Sequence, residues 1–63
     1  SKSVIQLDNN QQTIAIYPNS IEAGKAIKSQ QKLSSKVSTI AGHIRAVCQG
    51  KRKTAYKFYW KFI

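Results

Sequence analysis

Lys51-Arg52-Lys53 is the densest run of charge in this 63-residue chain. Consecutive cations of this kind neutralise phosphates, whose oxygens accept charge-assisted hydrogen bonds from ammonium and guanidinium groups. Lys36, Arg45 and Lys57 extend the run to a candidate phosphate clamp of six side chains. Ser38, Thr39, Gly42 and His43 form a second group of another kind, small or hydrogen-bonding residues suited to close approach at the edge of a base. Catalysis, by contrast, has little to work with. The acids are Asp8 and Glu22 alone, and they are close in sequence neither to each other nor to His43. Metal-dependent hydrolysis needs clustered carboxylates or histidines. His43 and Cys48 supply two zinc ligands at most, on different faces of a helix, where three or four are needed. No Gly-rich phosphate loop is present. The expectation is a binding module without cofactor or metal.

The charge balance sharpens that expectation. Eleven Lys and Arg face two acids, for a net charge of +9. Residues 1–24 carry Lys2 against Asp8 and Glu22, a net of −1, whereas residues 25–63 carry ten Lys and Arg and no acid, a net of +10. A surface built for solubility mixes both signs. Segregation points to one face that meets a polyanion, and hence to nucleic acid. No apolar run approaches the length of about 18 residues that spans a membrane, and Ser1-Lys2-Ser3-Val4-Ile5-Gln6 has no apolar stretch of signal-peptide length. With one cysteine there is no internal disulfide. An intracellular module is expected, and the absence of an initiating Met suggests a chain processed or cut from something longer.

The elements that must position these residues follow from periodicity. Val4-Ile5-Gln6-Leu7 and Thr13-Ile14-Ala15-Ile16-Tyr17 read as a hairpin, with Asn9 or Asn10 supplying the positive φ of its turn. Alternation places Ile5 and Leu7, and Ile14 and Ile16, on shared faces, which are expected to point inward. Pro18 ends the second strand. Asn19 or Ser20 caps a first helix running to about Lys28, with Asn19 and Glu22 resembling a capping box and Ile21, Ala23, Ala26 and Ile27 available for its buried side. Gly24 inside that helix suggests close approach by a neighbour. Residues 28–38 read as a long connection pinned by Leu33 and Val37.

A second helix is expected from about Thr39 to Gln49, capped by Ser38 and stopped by Gly50. Ile40, Ile44, Val47 and Cys48 make its apolar stripe, leaving Thr39, His43, Arg45, Ala46 and Gln49 outward. Tyr56 to Ile63 alternates as a final strand, with Tyr56, Phe58, Trp60 and Phe62 on one face. The fold class predicted is α+β, in the order β-β-α-α-β. A small three-stranded sheet, antiparallel, carries two helices on one face in a helix-turn-helix-like arrangement. Ile5, Leu7, Ile14, Ile16, Ile21, Ala26, Ile27, Ile40, Ile44, Val47, Phe58 and Trp60 form the expected core.

Four stretches carry a resemblance. Val4-Ile5-Gln6-Leu7-Asp8 is similar to an opening strand and turn, and Pro18 through Ala26 to a helix start of the Ser-Ile-x-Glu-Ala kind. Ile40 through Lys51 is similar to a helix closing on Gly-Lys, and Arg52-Lys53-Thr54-Ala55 with Phe58-x-Trp60-x-Phe62 to a basic, then aromatic ending. Together, over residues 4–63, the chain resembles the nuclease-associated modular DNA-binding domains of phage and organellar homing endonucleases of the HNH and GIY-YIG types. It departs from that pattern at Asn9-Asn10 and at Lys57, where the family favours glycine, and in the length of the connection between the helices. The resemblance implies sequence-tolerant binding of double-stranded DNA beside a nuclease domain of the same polypeptide, with the second helix in the major groove. Composition alone fits an RNA-binding or ribosome-associated basic protein equally well. A membrane-surface domain, suggested by the lysines between the last aromatics, fits poorly because their period is that of a strand.

Overall fold

The structure, a computed structural model, describes residues 2–63. Two strands, β1 (Val4–Leu7) and β2 (Thr13–Tyr17), are followed by two helices, α1 (Ser20–Gln31) and α2 (Val37–Cys48), and by β3 (Tyr59–Phe62). The strands form one antiparallel sheet in the order β2-β1-β3, so the first strand is central and both others are edges. The predicted α+β class and element order hold. No helix among the described residues is long and apolar enough to cross a membrane.

One cluster ties the helices to the sheet: Val4, Ala23, Ile27, Ile40, Ile44, Val47, Ala55 and Trp60 are buried together. Tyr17, Leu33, Cys48, Tyr56, Phe58 and Phe62 are half-buried around it. The inward face of β1 is Val4 and Gln6, reversing the expectation for Ile5, which is half-buried. Ile16 lies opposite Ile5 on the outer face, and Ile14 and Ile16 are 49% and 60% exposed. Leu7 is covered, past a register shift between Gln6 and Leu7. Ile21 is exposed and Ala26 half-buried, because α1 turns Ala23, Gly24 and Ile27 to the core. In the β1–β2 turn, Asp8 Oδ1 accepts the N–H groups of Asn10 and Gln12, and the left-handed residue is Gln11 rather than an Asn.

The two helices are longer, and their connection shorter, than periodicity suggests. Asn19 Oδ1 accepts the Glu22 N–H at 2.8 Å, the expected cap, but the Glu22 carboxylate turns to Lys25 instead of closing a capping box. The first helix runs past Lys28 to Gln31. It ends where Lys32 turns left-handed and the Leu33 N–H bonds the Lys28 carbonyl, a Schellman-type stop with Leu33 against the core. The second helix starts at Val37, so Ser38 sits inside its first turn and is not its cap; Lys36 holds that position without a side-chain bond. Only residues 32–36 connect the two, close to a compact helix-turn-helix. Gly24 explains the seat: a Cβ there would stand 3.2 Å from the Val37 carbonyl oxygen and 3.3 Å from the Ala41 nitrogen. Its absence lets the first turn of α2 lie close against α1.

The last strand is shorter than its alternation. A bridge between Ala55 and Phe58 closes a two-residue turn at Tyr56-Lys57, and regular pairing begins at Tyr59. The turn folds back because Trp60 Nε1 donates to the Ala55 carbonyl at 3.0 Å, a buried bond that draws residue 55 under the indole. Phe58 then meets Trp60 edge-on, with ring centroids 6.4 Å apart.

Candidate nucleic-acid interface

Helix α2 presents two unlike faces. Ile40, Ala41, Ile44 and Val47 are buried. Ser38, Gly42, Arg45 and Gln49, spaced by four, three and four residues, form an exposed line, with exposed Thr39 beside it and half-buried Ala46. This stripe has no acid, and small residues along its N-terminal half leave the helix backbone open to close contact. The first turn contains no carboxylate, so the positive end of the helix dipole is uncompensated by any acidic side chain there.

The helix end is fixed by Gly50 at φ +83, as expected: the Lys51 N–H returns to the Ala46 carbonyl at 2.9 Å and the Gly50 N–H to Val47. That stop delivers Lys51, Arg52 and Lys53, all exposed, at the C-terminal exit of the stripe. Lys51 joins Gly42, Arg45, Ala46 and Gln49 around a shallow hollow. Lys36 is exposed at the other end of the helix, about 18 Å away at the usual rise. The six expected phosphate contacts are thus not one patch. They bracket α2 at both ends, with Arg45 between and Lys57 to the side. Among the described residues the side-chain salt bridge found is Lys25–Glu22 at 3.2 Å, so these cations have no carboxylate partner.

His43 lies apart from the stripe. Its Nδ1 is 3.0 Å from the Tyr56 hydroxyl, and the two rings stack with centroids 5.8 Å apart at 25°. A half-buried imidazole with one nitrogen and one face engaged is a poor candidate for reading bases, unlike Ser38, Thr39 and Gly42. Tyr56 is held further by Gln31, whose Nε2 donates to its carbonyl at 2.9 Å. Spacing does not single out Gln31 or Tyr56, because the contact joins positions 25 residues apart.

A larger hollow of about 580 Å³ opens on the other flank of α2. It is lined by Arg45 and Gln49 of α2, by Asn19, Ser20 and Ile21 at the start of α1, and by Lys2 and Phe62, with the Lys2 ammonium 5.1 Å from the Phe62 ring centre. Lys2, remote in sequence from every other basic residue, thereby joins Arg45. The helical line through Arg45 and Gln49 was the available signal for this side. Cys48 is half-buried against the core, and burial pushes its thiol pKa up, which makes it a packing residue. Among the described residues no three His, Cys, Asp or Glu gather to hold a metal ion.

The fold and this surface define a small α+β domain with an exposed, acid-free helix bracketed by cations. No family model, curated protein or solved structure matches the chain.

Proposed function

We propose that this chain is a double-stranded-DNA-binding module, tolerant of sequence, that positions a nuclease domain of the same polypeptide in the manner of the homing endonucleases it resembles. The observation that carries the reading is the exposed face of α2: small and hydroxyl side chains along its N-terminal half, Arg45 further on, and cations without a carboxylate partner at both ends. A helix 10–12 Å across fits a major groove about 12 Å wide. Ser38, Thr39 and Gly42 then face base edges while Lys36, Arg45, Lys51, Arg52 and Lys53 take phosphates on the bordering strands. Two further points support the resemblance. Lys57, where the family favours glycine, has φ +72, the conformation glycine suits, and the connection between the helices is short. Such a module works inside the cell, where its duplex is. It makes no covalent bond itself.

Fluorescence anisotropy with duplex DNA, single-stranded DNA, duplex RNA and anionic vesicles tests the proposal. Duplex DNA should bind tightest. With about five phosphates neutralised, log K should fall against log salt with a slope of about −4 to −5. Arg52→Ala should weaken all duplexes equally and flatten the slope by about one unit. Thr39→Ala should leave the slope alone and reorder sequences by about 1–3 kcal/mol if its hydroxyl reads a base. Duplex RNA binding tenfold tighter than duplex DNA would replace this reading with the RNA-binding one.

A further inference from the structure

Tyr56 and Lys57 are consecutive residues in the left-handed region, at φ 55 and φ 72, and neither is glycine. They are the two central residues of a tight hairpin whose flanks exchange both backbone bonds, Ala55 N–H to Phe58 O and Phe58 N–H to Ala55 O, each 3.0 Å. Turns with positive φ at both centres favour Asn-Gly, because a Cβ is crowded there. Lys32 is also left-handed, but singly, at a helix end where that conformation is common. Two in succession persist only if their surroundings over-determine them.

The surroundings do so on one side only. Gln31 from α1 grips the Tyr56 carbonyl, His43 from α2 meets its hydroxyl and stacks on its ring, and Trp60 from β3 holds the Ala55 carbonyl. Lys57 is exposed at the tip, and among the described residues its side chain has no hydrogen bond or ion pair. A backbone position that suits glycine therefore carries a long cation, and every anchor is spent on its neighbours. The strain has no return inside the fold. His43 sits one turn from Thr39 and from Ala46, which puts the tip on the flank of the exposed stripe.

We propose that Tyr56-Lys57 is a clamped finger that holds the Lys57 ammonium for a DNA phosphate beside α2, and that His43 and Gln31 are positioning residues for it. This rests on the duplex-binding reading above. Preorganisation is the gain: a lysine on a fixed turn loses less freedom on binding than one on a loose loop.

The experiment combines melting curves with salt-dependent anisotropy on duplex DNA. Lys57→Gly should raise Tm by a few °C as the strain is relieved, weaken duplex binding about threefold or more and flatten the salt slope by about one unit. Lys57→Asn, which tolerates the same φ without charge, should match it in binding, and Lys57→Arg should bind like the parent. His43→Ala and Gln31→Ala should weaken binding in the parent but add little in the Lys57→Gly background, a coupling that a merely structural role does not produce. A lower Tm for Lys57→Gly overturns the strain argument. Equal binding and slope for Lys57→Gly, or undiminished His43→Ala losses in its background, overturns the finger while leaving duplex binding intact. A parent chain that shows no salt-dependent duplex binding overturns the functional reading and the finger together.

Discussion

The two edge strands flank the same central strand and alternate equally well, yet they spend their bulk in opposite directions. In β3 the indole goes inward: Trp60 is 2% exposed and Phe62, on the same face, packs against the core, while Tyr59 and Lys61 take the other face. In β2 the inward positions are Ala15 and Tyr17, and the isoleucines look outward. The registers explain the difference. Gln6 lies between Ala15 on one side and Trp60 on the other, and Val4 between Tyr17 and Phe62. Each inward row of the sheet has limited volume under the helices, and the indole takes most of one row. Its partner across Gln6 is therefore small. Alternation determines which residues share a face; the volume and hydrogen bonds available underneath decide which face is inside.

The contrast predicts its largest effect at Trp60. Trp60→Ala removes the indole that touches Phe58 and Tyr17 and deletes the buried bond to the Ala55 carbonyl. Aromatic truncations in cores cost about 3–5 kcal/mol, a large share of what a domain this small has to spare. Urea or thermal melts should find the variant largely unfolded at 37 °C. A sharp melt with less than about 1 kcal/mol lost would break the comparison, since the inward face of β3 would then not be the core.

The next effect tests why Tyr17, and not an isoleucine, points inward from β2. Gln6 is 1% exposed, and the Tyr17 hydroxyl donates to its Oε1 at 3.2 Å. Tyr17→Phe keeps the ring beside Trp60 and removes that donor, so the amide oxygen is stranded at a cost of about 1–2 kcal/mol. Gln6→Leu in the Tyr17→Phe background should recover part of the loss. An unchanged melt for Tyr17→Phe would mean that ring packing alone turns Tyr17 inward.

These cases show what the amino-acid sequence could and could not disclose. The class, the element order, the cap at Asn19, the stop at Gly50 and the buried line Ile40, Ile44 and Val47 are local or periodic, and they are legible. The exposure of Ser38, Thr39, Gly42 and Arg45 follows from the same period. The sense of the hairpin faces is not local: it depends on Trp60, more than forty residues away from Ala15 and Ile16 in the chain. The true ends of the helices depend on Gly24 meeting Val37 and on Leu33 reaching the core. His43 looked like a reader because its partner, Tyr56, belongs to a turn with no glycine to announce it.

The smallest effect belongs to the outer face of β2. Burial of an isoleucine contributes about 1.5–3 kcal/mol, in proportion to the apolar area removed from water. At 60% exposure most of that area on Ile16 is still wetted, and its neighbour across β1 is the half-buried Ile5. Ile16→Thr keeps the β-branch, and with it the backbone preference for a strand. It replaces a partly covered ethyl group with a hydroxyl that water can satisfy. The melt should therefore shift by no more than about 0.5 kcal/mol, the usual range for surface sites. A loss near 2 kcal/mol would place Ile16 in a packed interface in solution, and the two edges of the sheet would then be alike in burying their bulk.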